Sequence, residues 1–156
     1  MSATAYRHAM EAGDLDGVAA SFAPDAVLNS PVTMRHQFKG REELRQVFAA
    51  VLEVVDEIAY AEEVAEGVTH VIFGSGRVRG ERIEETIQMR LNEAGLIAEM
   101  TLYVRPMPGL LALAAALAPR VGPDRRRSRL AGAMVVPLAA AAKSGERLAT
   151  RLVWPR

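Results

Sequence analysis

The hydrophobic pattern of this chain changes period once, near residue 58, and no other feature limits the fold as much. From Arg41 to Glu57, Leu44, Val47, Phe48, Val51, Leu52 and Val55 fall on one stripe with charges opposite, which predicts an amphipathic helix. From Ile58 to Arg105 the period is two, in four runs at 58–65, 68–78, 82–91 and 96–105. The breaks between them, Glu66-Gly67, Arg79-Gly80-Glu81 and Asn92-Glu93-Ala94-Gly95, are turn sequences, so this half of the domain reads as an antiparallel meander.

Upstream, residues 3–12 read as a helix that Gly13 breaks. Asp14 is placed to cap a second helix in which Leu15, Val18, Ala19 and Phe22 share a face. Ala23-Pro24 ends that helix, and Asp25–Asn29 reads as a short strand stopped by Ser30-Pro31, because proline has no N–H for a ladder. Helices ahead of a meander define an α+β domain with the helices on one face of a curved sheet, and the concave side of such a sheet is where a pocket forms.

Half of the 156 residues are apolar, enough for one core and too few for two ordinary domains. The formal net charge of zero conceals an asymmetry: residues 1–105 carry 10 Lys and Arg against 17 Asp and Glu, whereas residues 106–156 carry 9 against 2. The expected division therefore falls at Arg105-Pro106, between a pocket domain, 1–105, and an Ala-, Leu- and Arg-rich helical extension, 106–156. Without cysteine there is neither a disulfide nor a thiolate metal site, and no His, Asp and Glu residues stand at metal-ligand spacing. Gly74-Ser75-Gly76 lies inside a strand pattern and marks a bulge or a close approach of a ligand to the backbone, not a phosphate loop. No metal and no cofactor are expected. The N-terminal stretch has no continuous apolar run, and no segment reaches the roughly 20 apolar residues that cross a bilayer, so a cytoplasmic protein is expected.

Five local patterns occur in a fixed order: Tyr6 with Ala12-Gly13-Asp14 and Gly17; Phe22-Ala23-Pro24-Asp25-Ala26-Val27; Ser30-Pro31-Val32; Phe38-Lys39-Gly40-Arg41-Glu42; and Met89-Arg90-Leu91-Asn92-Glu93 with Gly95 and Ile97. Together they resemble the nuclear transport factor 2-like superfamily over residues 3–106, in particular its ketosteroid isomerase and SnoaL-like polyketide cyclase branches. The resemblance implies a cone-shaped, curved, mostly antiparallel sheet of the cystatin-like type. Three N-terminal helices would lie on its concave side, with further helices in the extension. It also places Tyr6 at the oxyanion-binding tyrosine of the isomerases, Ser30 where they carry an aspartate base, and Ile87 where they carry a protonated aspartate. With two of those three groups replaced, the usual isomerase mechanism is not expected, since proton abstraction beside a carbonyl needs a base of suitable pKa.

If Ile87 faces the cavity, the period of two puts Ile83, Glu85 and Met89 there as well. The same family register implies His70, Ile72 and Gly74 on the neighbouring strand and Met100, Leu102 and Val104 on the last. Tyr6, His70 and Glu85 are then the candidate catalytic residues, His70 and Glu85 acting as an acid–base pair. Ser30, Phe38, Ile72, Ile87, Met89, Met100 and Leu102 are the substrate-binding candidates, and Met34, Met89, Met100 and Met107 are expected to give the cavity adaptable walls. A structural reading stays open beside this one. A slip of one residue turns His70 and Glu85 to solvent, Tyr6 becomes a packed helix tyrosine, and Ser30 becomes a turn former.

In the extension, Leu110–Leu117 and Leu130–Ala142 look helical, with Pro137 kinking or ending the second. Arg120, Arg125, Arg126, Arg127 and Arg129 beside them suit anionic lipid, as in basic amphipathic helices, or the acidic body of the same chain or a partner. Packing within the chain or in a homodimer is preferred, with Leu110–Leu117 as a lid at the pocket mouth. Nucleic acid is not an expected partner, because the basic run lacks interleaved aromatics. The function expected is a pocket for a small apolar molecule, in a cofactor-independent isomerase, cyclase or dehydratase acting on an apolar carbonyl or polyketide-like compound. The alternative is a non-catalytic ligand-binding or dimerisation module.

Overall fold

The computed structural model describes residues 2–122 and 125–153. Helices α1 (Ser2–Ala12), α2 (Leu15–Ala20) and α3 (Arg41–Val54) pack against one six-stranded sheet. Its strands are β1 (Phe22–Asn29), β2 (Gln37–Lys39), β3 (Asp56–Glu66), β4 (Thr69–Val78), β5 (Glu81–Leu91) and β6 (Ile97–Arg105), in spatial order β2-β1-β6-β5-β4-β3. Neighbours are antiparallel except β1 and β6, which run parallel. The four meander strands stand where the alternating runs predict them. Asp14 caps α2, its carboxylate accepting from Gly17 N–H at 3.0 Å.

Several boundaries differ from the sequence reading: α3 ends at Val54 rather than Glu57, with β3 beginning at Asp56, and Gln37–Lys39 pairs as β2. β1 begins at Phe22 and contains Pro24: Phe22 pairs with Ile97, and the register then slips before Val27 meets Glu99, so the proline occupies an irregular stretch where no ladder N–H is needed. The last helix, α5 (Arg125–Val153), does not end at Pro137. An interior proline costs a helix about 3 kcal/mol, yet Pro137 is exposed and is followed by Leu138 and four alanines, all strong helix formers. Of the basic run, Pro123, Asp124 and the side chains of Arg125 and Arg127 lie outside the described residues.

The core has two parts. The larger joins Tyr6, Phe22, Leu44 and Phe48 to Ile72, Ile87, Met89, Ile97 and Met100 from the sheet, each at most 2 % exposed. The smaller lies under α4 (Met107–Leu117), where Ala112, Leu113 and Ala116 cover Val55, Val78 and Ile83. Gly109 lets α4 lie close to β5, since a Cβ there would come within 2.6 Å of Ile83 Cγ2 and 3.0 Å of the Arg82 carbonyl oxygen. The extension is tied to the acidic body by Arg120 with Glu53 on α3, at 2.8 Å, and by Lys143 with Glu81 on β5.

Candidate functional site: an apolar cavity with one carboxylate

Between the two core regions lies a cavity of about 350 Å³. Met10, Leu28, Phe38, Val47, Phe48, Val51, Ile83 and Leu102 line it from the pocket domain, and Leu113, Ala114, Ala131 and Val135 from α4 and α5. Three polar side chains interrupt the apolar lining: Tyr6, Ser30 and Glu85. An apolar chamber of this size with a few convergent polar groups suits a small organic molecule.

The strand register puts Glu85 there. Glu85 on β5 stands opposite Val104 on β6 and Gly74 on β4, and Gly74 in turn stands opposite Tyr60 on β3. A Cβ at residue 74 would come within 2.7 Å of Tyr60 Cε1 and 3.2 Å of Glu85 Cγ. The missing side chain is therefore the space in which Tyr60 and Glu85 meet: at Gly74 the group that comes close to the backbone is the Tyr60 ring, not a ligand. β3 is an edge strand, and α1 holds Tyr60 by its backbone: the Tyr60 N–H donates to Glu11 Oε1 at 2.8 Å and its carbonyl accepts from Arg7 Nη2 at 3.3 Å.

Burial pushes the Glu85 carboxyl up from 4.5 to about 7, and the Tyr60 hydroxyl opposes this in smaller measure. Among the described residues no Lys, Arg or His forms an ion pair with Glu85. Burial, then the charge of Glu85, raises the Tyr6 hydroxyl well above its ordinary value. For Tyr60, burial is again the largest cause, followed by Tyr6 and Glu85. Phe22 and Phe48 hold the Tyr6 ring edge-on at centroid distances of 6.0 and 5.7 Å. Tyr60 Oη sits behind the cavity wall, near enough to Tyr6 and Glu85 to perturb both, yet it makes no hydrogen bond of normal geometry to a protein group. The site thus combines two phenols that remain protonated at neutral pH with a carboxyl close to half ionised.

The other predicted residues divide. Tyr6, Ser30, Phe38, Glu85 and Leu102 line the cavity. Ser30 is also a turn former, its Oγ accepting from Val32 N–H at 3.1 Å. Ile72, Ile87, Met89 and Met100 face the concave side as expected, but each is fully buried in the core and none lines the cavity. Met34 and Met107 are exposed, and the methionine that does line the cavity is Met10.

The expected His70–Glu85 pair is not formed. His70 stands opposite Met89, four residues along β4 from Gly74, which faces Glu85. Its Nδ1 lies 2.9 Å from Glu63 Oε1, and Arg7 Nη1 lies 3.7 Å from the other Glu63 oxygen. The register of β3 and β4 slips by one between Tyr60 and Glu62, which brings both Tyr60 and Glu63 to the inner face. Period-two counting along β3 misses Tyr60 for that reason. Only the paired glycines of β4 mark it in the sequence.

The chain belongs to the SnoaL-like domain family, whose pattern matches residues 3–100, within the nuclear transport factor 2-like superfamily. A steroid delta-isomerase from Pseudomonas aeruginosa is similar, with 27% identity over 76% of this chain and 88% of its own, and a TM-score of 0.70. An uncharacterised bacterial protein of cystatin-like fold from Silicibacter pomeroyi shares 25% identity over 83% and 93% of the two chains, with a TM-score of 0.73. A de novo designed protein with a curved β-sheet has the same fold at 14% identity, covering 71% of this chain and 88% of its own, with a TM-score of 0.60. No curated protein matches the chain.

Proposed function

We propose that the cavity binds a small, largely apolar carbonyl compound and that Glu85 moves a proton on the carbon beside the carbonyl, giving an isomerase, cyclase or dehydratase that works without a cofactor. One observation carries this reading: a carboxyl raised to about 7 opens into an apolar chamber together with the Tyr6 hydroxyl. A base poised near the working pH is half available and still strong enough to act. The Glu85 carboxylate takes the α-proton and the electron pair moves onto the carbonyl oxygen, where Tyr6 donates a hydrogen bond to the developing enolate. Return of the proton to a second carbon gives the isomer. Collapse of the enolate with loss of a β-hydroxyl, which takes the proton from the Glu85 carboxyl and leaves as water, gives the dehydrated product instead. Tyr60 fills the space that Gly74 leaves beside Glu85 and perturbs both Tyr6 and Glu85 from there.

The likeness to a steroid delta-isomerase supports a proton-transfer role, while the serine and isoleucine at positions 30 and 87 mean that its base comes from a different strand position. The competing reading is a binding module without chemistry, which the same two replacements favour. A β,γ-unsaturated cyclic ketone separates them, because its conversion to the conjugated isomer is read by absorbance and loss of an α-deuterium by NMR. Glu85→Gln is expected to lower the rate by roughly 10²- to 10⁴-fold while the ketone still binds. Equal rates in the two proteins, or no turnover by either with intact binding, would leave only the binding module.

A further inference from the structure

Helix α5 presents two different faces. Gly132, Val135, Ala139 and Lys143 turn toward the body, and Ala131 and Val135 reach the cavity. On another side Leu130, Met134, Leu138, Leu148 and Leu152 recur at spacings that keep them within about 80° of one another on a helix, and all are exposed, from 57% to 74%. From Ser144 to Val153 every residue is exposed, so this end of the helix extends past the body. Arg147 and Arg151 flank the leucine stripe there. Over its length α5 carries seven Lys and Arg against one Glu. No described helix is long and apolar enough to cross a membrane, which leaves a helix suited to lying on a surface.

We infer that α5 docks this protein on an anionic lipid bilayer, leucine stripe inward, with Arg147 and Arg151 against the headgroups. A stripe of large apolar side chains left in water, bordered by arginines, has the complementarity of a lipid surface, where apolar burial and attraction to anionic headgroups add. The body of a second copy is acidic and exposes Val64, Phe73 and Tyr103, so a dimer that buries the stripe is the rival outcome that the test must separate. The same helix supplies Ala131 and Val135 to the cavity wall, so docking sets the chamber beside the phase in which an apolar ligand dissolves. Helix α4 and one face of α5 pack against the body. The leucine face is the part left over.

Cosedimentation of the full chain with vesicles tests this. Binding to phosphatidylcholine vesicles containing phosphatidylglycerol is expected, with much weaker binding to phosphatidylcholine alone. Leu138→Asp with Leu148→Asp is expected to abolish it. Arg147→Gln with Arg151→Gln is expected to weaken it roughly 25-fold, at about fivefold for each cation near the surface, with the circular dichroism of both variants unchanged. No sedimentation of the native chain with anionic vesicles would overturn the inference. So would a dimer that covers the stripe, seen by sedimentation velocity as a native dimer that the aspartate variant makes monomeric while vesicles bind neither protein. The arginine variant keeps the test valid should the aspartate variant fail to fold.

Discussion

Two glutamates face the inner side of the same sheet, and their neighbours give them opposite uses. Glu63 on β3 meets His70 at 2.9 Å and Arg7 at 3.7 Å, so its charge is matched and its place is structural. Glu85 on β5 meets two tyrosines and an apolar cavity, and burial raises its carboxyl to about 7. Both lie on the concave face, but Arg7 stands beside the Glu63 carboxylate, whereas among the described residues no cation pairs with Glu85, and its burial favours the protonated form.

The sharpest way to break this comparison is kinetic. His70→Ala is expected to leave proton exchange on a bound ketone within about twofold of native, against the loss of orders of magnitude in Glu85→Gln. If His70→Ala slows exchange as much, the division of labour between the two carboxylates is wrong.

The next effect is on stability. Glu85 is protonated in both states below pH 4.5, and above that the unfolded chain releases its proton while the folded one holds it until about 7. Stability from this group is therefore present at low pH and declines as the pH rises through that window, by about 3 kcal/mol in all. Urea midpoints measured from pH 4 to 8 are expected to be flatter for Glu85→Gln, which is then the more stable protein at pH 8. A native-like slope in the variant would mean that another group titrates there.

Gly74→Ala probes the geometry that brings Tyr60 to Glu85. The added methyl meets the Tyr60 ring at 2.7 Å, and the crowding is expected to cost about 1–3 kcal/mol and to reduce turnover. The same substitution at Gly67, whose Cβ position has nothing within 4 Å, disturbs no contact, although the positive φ there strains the backbone. His70→Ala completes the set: removing one partner of a mostly buried polar pair is expected to cost about 1–2 kcal/mol without touching the chemistry. Thermal melts of both variants measure these costs.

The element order was legible because it rests on local pattern. The period change near residue 58, the turn sequences and the Asp14 cap each act within a few residues, and the meander follows from them. Tyr6, Ser30, Phe38, Glu85 and Leu102 were legible through a family resemblance joined to the alternation of a strand. Tyr60 was not, because one extra residue in β3 inverts the face on which its side chain falls. The His70–Glu85 pair failed for a different reason. Alternation tells which face a residue occupies but not how far along the sheet it lies from another, and these two are separated by two inward-facing positions.

By itself, then, the sequence determined an α+β cone with helices ahead of a meander, an inward Glu85 and a basic extension. The element order and the basic extension depend on periodicity, turn chemistry and charge, whereas the cone and the inward Glu85 came through the family resemblance joined to strand alternation. Only the tertiary structure decided that Arg7 stands beside Glu63, that Tyr60 rather than His70 stands at Glu85, and that α4 and one face of α5 enclose the chamber while the leucine face does not. Each of these is a relation between segments far apart in the chain, set by register and packing across the fold, and such relations leave little trace in local sequence.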